Sequence, residues 1–210
     1  MSPTVTVVRP TGPSKSPPPI LGPELNGIRL IAAEFDAVTD FDRDFHYELI
    51  DGVLIVNPIP SPAERDPNGE LEFLLRWYKR EHPQGKALDR TLGEEHVRIG
   101  SQRRRADRVI WAGLGRKPNV KTDLPSIVVE FVSAGRRNAQ RDYIEKRDEY
   151  LAAGVKEYWV FDRFRRLMTV YRQTETGIVE EIIHEQEIYR PGLLPGFELR
   201  LIDLLNCAEE

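Results

Sequence analysis

With 210 residues, 40% of them hydrophobic and 30% charged, the chain has enough apolar material for one compact domain with a core. No run approaches the roughly 18 apolar residues of a membrane span, and the first residues lack the basic and apolar segments of a signal peptide, so a soluble, non-secreted protein is expected. The single cysteine, Cys207, excludes an intramolecular disulfide and fits the cytoplasm, while a net charge of −4 is not that of a strongly basic nucleic-acid-binding domain.

Seven prolines precede residue 24, so residues 1–27 read as a proline-rich arm and residues 28–206 as the folded domain. LIAAEFDAV suggests a short helix. FHYELIDGVLIVNP places two apolar runs about Asp51-Gly52, the signature of a hairpin. From Glu64 to Glu81 the spacing of Leu71, Leu74 or Leu75, and Tyr78 is helical, and Pro83 stops the helix. GKALD and EEHVRIG read as two strands and ADRVIWAG as a third. SIVVEFVS is β-branched and apolar on both faces, as a buried central strand is.

RNAQRDYIEKRDEYLAAGV predicts a helix capped by Gly154. KEYWVFD is strand-like, LMTVYR and GIVEEIIH form a further antiparallel pair, and FELRLIDLL closes the domain. There is no internal repeat. The order predicts an α/β fold with a mixed central sheet flanked by helices.

Three acids interrupt strands: Glu48, Asp107 and Glu130. Period-two alternation puts Glu130 on a face with Val128 and Val132, and Asp107 on one with Val109 and Trp111. A buried unpaired charge costs several kcal/mol. For a single carboxylate an ion pair with a nearby arginine answers that cost; converging carboxylates need bound protons or a cation. Mg²⁺ suits carboxylate oxygens, with Mn²⁺ as the alternative ion. His46, His82, His96 and His184 have no zinc spacing, and there is no phosphate-binding GxxxxGK[ST] loop or GxSxG elbow.

Arg103, Arg104, Arg105 and Arg108 surround Asp107, while Arg136, Arg137, Arg141, Lys146 and Arg147 follow Glu130. Two readings stay open. The clusters are a solvated face, or Arg105, Arg108, Arg136, Arg137 and Arg141 face the phosphates of a nucleic acid.

Asp107 on one strand, Glu130 on a central strand 23 residues later and a basic helix after it resemble the PD-(D/E)xK nuclease superfamily. More closely, YELIDGVLIV, VVEFVS, RDYIEKRDEYLAAGVKEYWVFD and LLPGFELRLIDLL resemble the Uma-two family of restriction-endonuclease-like proteins, over about residues 45 to 205. The resemblance implies a restriction-endonuclease-like fold, an extra N-terminal hairpin and Mg²⁺-dependent hydrolysis of phosphodiester bonds, with DNA the expected substrate and a homodimer the expected assembly. Asp107 and Glu130 would hold the metal, and Glu48 would be an extra ligand or base.

Two positions depart from the superfamily pattern. Ala106 stands where it has proline, and Val132 where it has lysine. Lys146, one helical turn after Asp142, is the natural substitute, with a surface pair of those two residues as the competing reading. The rival for the whole chain is a non-enzymatic module for dimerisation or nucleic-acid binding, its carboxylates paired to Arg105, Arg108 or Arg147.

Overall fold

The structure, a computed structural model, describes residues 20–134 and 141–207. Most of the proline-rich arm, Arg136, Arg137 and the expected start of the helix after Glu130 lie outside the described residues. The packed part begins no later than Leu21, which is fully buried, and Asn26 Oδ1 accepts the Val56 N–H at 2.9 Å. The arm boundary expected after residue 27 therefore falls inside packed structure.

Helix α1 (Ala32–Asp36) packs Phe35 against the hairpin of β1 (Phe45–Ile50) and β2 (Val53–Pro58). Asp51 (φ 49°) and Gly52 (φ 74°) are both left-handed, as the two-residue turn requires. Helix α2 (Pro62–Glu81) starts earlier than its apolar spacing suggests, because Pro62 suits the first turn and Ser61 caps it. The Ser61 N–H and hydroxyl donate to Glu64 at 2.7 and 2.8 Å.

GKALD is not a strand of its own. Gly85–Ala87 is a 3₁₀ turn, and a Cβ on Gly85 would lie 2.4 Å from the Tyr78 carbonyl oxygen. The rest joins EEHVRIG in one strand, β3 (Leu88–Ile99), which turns back into β4 (Gln102–Ala112).

Strand β5 (Ile127–Phe131) is followed, from Arg141, by a π turn and helix α3 (Lys146–Ala153), capped by Gly154 at φ 101°. Then come β6 (Glu157–Asp162), β7 (Leu167–Thr174), β8 (Gly177–His184), β9 (Ile188–Tyr189), β10 (Leu199–Arg200) and α4 (Leu201–Cys207). The main sheet has eight strands. It runs β2-β1-β4-β5-β6-β7-β8, with β3 also paired to β4; β5 and β6 are parallel and the other neighbours antiparallel. Among the described residues no helix is long and apolar enough to cross a membrane.

Strand β5 feeds two cores. Ile127, Val129 and Phe131 pack with Leu71, Leu75 and Leu204 of α2 and α4. Val128 and Val132 pack with Tyr150, Leu151 and Val160 on the α3 side. That double burial is why the strand is apolar at almost every position.

The sheet forks along β4. Strand β3 lines one edge; on the other, β1 meets β4 at Arg103 and β5 joins it from Arg108. Between those pairings the β1/β5 edge of Arg104–Asp107 has no strand beside it among the described residues, and the chemically distinctive side chains gather there.

Candidate active site

In the fork, side chains replace the missing strand. The Arg105 N–H donates to Glu48 Oε1 at 3.0 Å, and its carbonyl accepts from Lys146 Nζ at 3.2 Å. Lys146 Nζ also lies 2.8 Å from Glu130 Oε2 and 3.8 Å from Asp142 Oδ1. Asp142 and Lys146 are both buried, so they are not a surface pair. The Tyr150 hydroxyl donates to Glu130 Oε1 at 3.3 Å, and the Phe131 N–H to Asp107 Oδ2 at 2.6 Å.

Asp107 reaches this place through a break in alternation. The β3–β4 ladder passes from Gly93↔Arg108 to Glu95↔Ala106, leaving out Glu94 opposite Asp107, and Glu94 takes φ 53°. Ala106 then packs in the same core cluster as Val109 and Trp111, which strict alternation would not allow. Instead of continuing the face of Val109 and Trp111, the Asp107 carboxylate meets the end of β5. A left-handed non-glycine residue at such a point is strain retained by its surroundings.

An open cleft of about 440 Å³ lies over the fork. Glu48, Glu94, Asp107, Glu130 and Glu64 line it, and so do Arg105, Arg141, Lys146 and Arg163. Counting Asp142 behind Lys146, acids outnumber these cations by two among the described residues. Burial, reinforced by Glu94 and Asp142 against the pull of Lys146, pushes the Asp107 carboxyl up to about 7. Burial also raises Glu130, with Asp107 and Asp142 adding to the rise. Burial works against the Lys146 proton, but Glu130, Glu48 and Asp142 outweigh it and hold the proton in place.

These features fit a divalent cation. The donors are hard carboxylate oxygens, and the excess negative charge is otherwise relieved by protons. Among the described residues no group of three His, Cys, Asp or Glu side chains could hold a metal by itself. Two carboxylates completed by water and substrate oxygens are the usual environment of Mg²⁺.

The arginines divide by neighbour. Arg103 grips Asp36 at 2.8 and 2.6 Å, and Arg104 grips Glu149 with two bonds of 2.6 Å. Arg108, 1% exposed, spends its donors on Asn68, Thr91 and Glu72 and so ties β4 to α2. Unlike the outward arginines of the sequence reading, it has no phosphate-facing surface. Arg105, paired to Glu94 at 3.2 Å, and Arg141, paired to Asp142 at 3.1 Å, do line the cleft.

The ion pairs of the non-enzymatic reading take other partners. Glu130 pairs with Lys146, Arg105 with Glu94, Arg108 with Glu72 and Arg147 with Asp148. Sequence reasoning passed over Glu94, His46, Glu64 and Arg163, all of which line the cleft. Two adjacent acids after Gly93, at the start of the EEHVRIG segment, were the available signal for Glu94.

A mixed sheet forked around converging carboxylates and a buried lysine is the architecture of a nuclease-like fold. The chain matches the Uma2 family, described as "putative restriction endonuclease", over residues 32–202 and belongs to that family. Its fold is similar to the crystal structure of a "putative nuclease belonging to DUF820" from Anabaena variabilis, at TM-score 0.65 and 16% identity over 85% of this chain and 99% of that one. Among curated proteins no relative matches the sequence.

Proposed function

We propose that the protein is a divalent-metal-dependent endonuclease that hydrolyses phosphodiester bonds of nucleic acid, with DNA as its substrate. The observation that carries this reading is the meeting of Asp107, Glu130 and Lys146 at one fork of the sheet, under an open cleft. Asp107 and Glu130 are the ligands for Mg²⁺, which Mn²⁺ can replace. When bound, the cation supplies Lewis acidity toward the scissile phosphate and lowers the pKa of water.

The chain's own groups do the rest. Lys146, kept protonated by Glu130, Glu48 and Asp142, offers a fixed positive charge to the pentavalent phosphate of the transition state. Its bond to the Arg105 carbonyl and the Arg105 bond to Glu48 hold that charge in register with β4. Glu48 faces the same cleft and is placed to orient or deprotonate the attacking water. Arg105 and Arg141 border the cleft and hold the backbone of the nucleic acid.

A second reading is a non-catalytic nuclease-fold module, favoured by the direct neutralisation of Glu130 by Lys146 at 2.8 Å. Calorimetric titration with Mg²⁺ separates the two. The endonuclease reading expects site-specific heat that is lost in Asp107→Asn and Glu130→Gln; no heat in the wild type would favour the module.

A further inference from the structure

Arg163 follows the last residue of β6, and the register Phe131↔Phe161 places its backbone level with Ser133, just past the carboxyl end of β5. It lies three residues beyond Val160, the partner of Glu130, or roughly 10 Å along the strand at ~3.3 Å per residue. Its side chain lines the same cleft as the candidate metal ligands. The guanidinium sits over the Phe164 ring at 4.5 Å, yet its Nε is buried without a hydrogen-bond partner.

A buried donor of this kind costs free energy unless something supplies an acceptor. The acid on that wall, Glu64, is already engaged by Ser61 and Ser133. Arg163 comes within no ion-pair distance of it among the described residues, although its charge helps hold the Glu64 carboxyl below the usual carboxylate range. Arg141, which lines the same cleft, uses Nε on Asp142 and keeps both Nη atoms without a hydrogen bond among the described residues. Two guanidinium groups with unused donors lining one cleft match a phosphate, which accepts paired hydrogen bonds from the planar fork.

We propose that Arg163, with Arg141, forms a second phosphate subsite, so that the cleft holds two neighbouring backbone phosphates of one strand: the reacting one at Asp107, Glu130 and Lys146, and an adjacent one at Arg163. This rests on the nuclease reading for the identity of the strand. Arg163 is a positioning residue. It sets which phosphodiester reaches the carboxylates without touching the bond that breaks.

The test uses the full chain and a fluorescent short oligodeoxynucleotide, with binding measured in chelator so that no turnover is needed. Arg163→Ala should weaken binding about tenfold or more and flatten the salt dependence by about one phosphate contact. Arg163→Lys should recover part of the loss, and Arg163→Gln replaces the alanine variant if that one does not fold. In parallel, hydrolysis of bis(p-nitrophenyl) phosphate in Mn²⁺, a diester with no neighbouring phosphate, should lose much less to Arg163→Ala than oligonucleotide binding does.

Equal oligonucleotide affinity in wild type and variants would overturn the subsite. So would an equal loss on the single diester, which would place Arg163 at the reacting phosphate or in folding. A 5′-mononucleotide bound as tightly as the oligonucleotide, and as dependent on Arg163, would replace a backbone site with one for free nucleotides and overturn the proposal. A wild type that binds the oligonucleotide but hydrolyses neither substrate would sink the catalytic reading alone, leaving the binding comparison to decide the subsite.

Discussion

Lys146 Nζ lies 2.8 Å from Glu130 Oε2, and both side chains are 3% exposed, so α3 is joined to β5 by a buried ion pair. Taking two charges out of water is costly, and here further polar contacts satisfy both ends: the Arg105 carbonyl on Lys146 and the Tyr150 hydroxyl on Glu130. The pair explains how an acid can sit in an apolar strand when no cation is bound.

Lys146→Ala should therefore cost about 3 to 5 kcal/mol in metal-free protein, because it leaves Glu130 buried and unpaired. Mg²⁺ should restore part of that stability by taking the place of the ammonium charge. Cleavage should fall by ~100-fold or more if the ammonium stabilises the transition state. Chemical denaturation with and without Mg²⁺, beside single-turnover rates, checks both parts. An unchanged rate would reduce Lys146 to a structural partner of Glu130.

Asp107→Asn keeps an oxygen for the Phe131 N–H while removing a charge that repels Glu130. At neutral pH without metal the variant should melt at least about 2 °C above the wild type and yet be inactive. Differential scanning calorimetry measures the shift. A lower melting temperature would mean that the Asp107 charge is itself stabilising, as in a structural ion pair.

The arginine run on β4 should divide in function. Arg104→Ala breaks a two-bond grip on Glu149 from a buried position and should cost roughly 2 to 3 kcal/mol without altering the salt slope of nucleic-acid binding. Arg105→Ala, at a quarter-exposed site, should cost less than about 1 kcal/mol but reduce that slope by about one. Urea denaturation and salt-dependent anisotropy on the two variants distinguish them.

Two histidines near the fork give a pH dependence. Burial, with the Arg105 charge, lowers His46 to about 4, and burial also lowers His96, whose Nε2 is 2.7 Å from the Tyr47 carbonyl. The unfolded chain takes up these protons near pH 6.5 and the folded chain only lower. Stability from these groups is therefore complete above about pH 6.5 and is lost as pH falls; for His46 the loss runs down to about 4, at up to about 1.4 kcal/mol per pH unit. Site-specific NMR titration should find the His46 ring neutral at pH 5.5. A midpoint near 6.5 would contradict this.

Elements whose local chemistry has one structural answer were legible from sequence. Asp51-Gly52 specified a tight turn, Gly154 a helix end, and the β-branched run around Glu130 a strand buried on both sides. The gathering of Asp107 was not legible in detail, because it depends on Glu94 adopting φ 53°, and glutamate gives no local sign of a left-handed residue. The arginines looked alike in sequence because each one's role depends on a partner far along the chain: Asp36 for Arg103, Glu149 for Arg104, Glu72 for Arg108. That Lys146 touches Glu130 was not legible, because it depends on how α3 packs against β5.

A metal-dependent nuclease site at Asp107 and Glu130 is read out by cleavage itself. Wild-type protein and Glu130→Gln are incubated with plasmid, single-stranded and branched DNA in Mg²⁺, in Mn²⁺ and in chelator. The wild type should cleave at least one substrate with either metal and none in chelator, and the variant should cleave none. Equal cleavage in chelator, or no cleavage of any substrate with either metal, would contradict it.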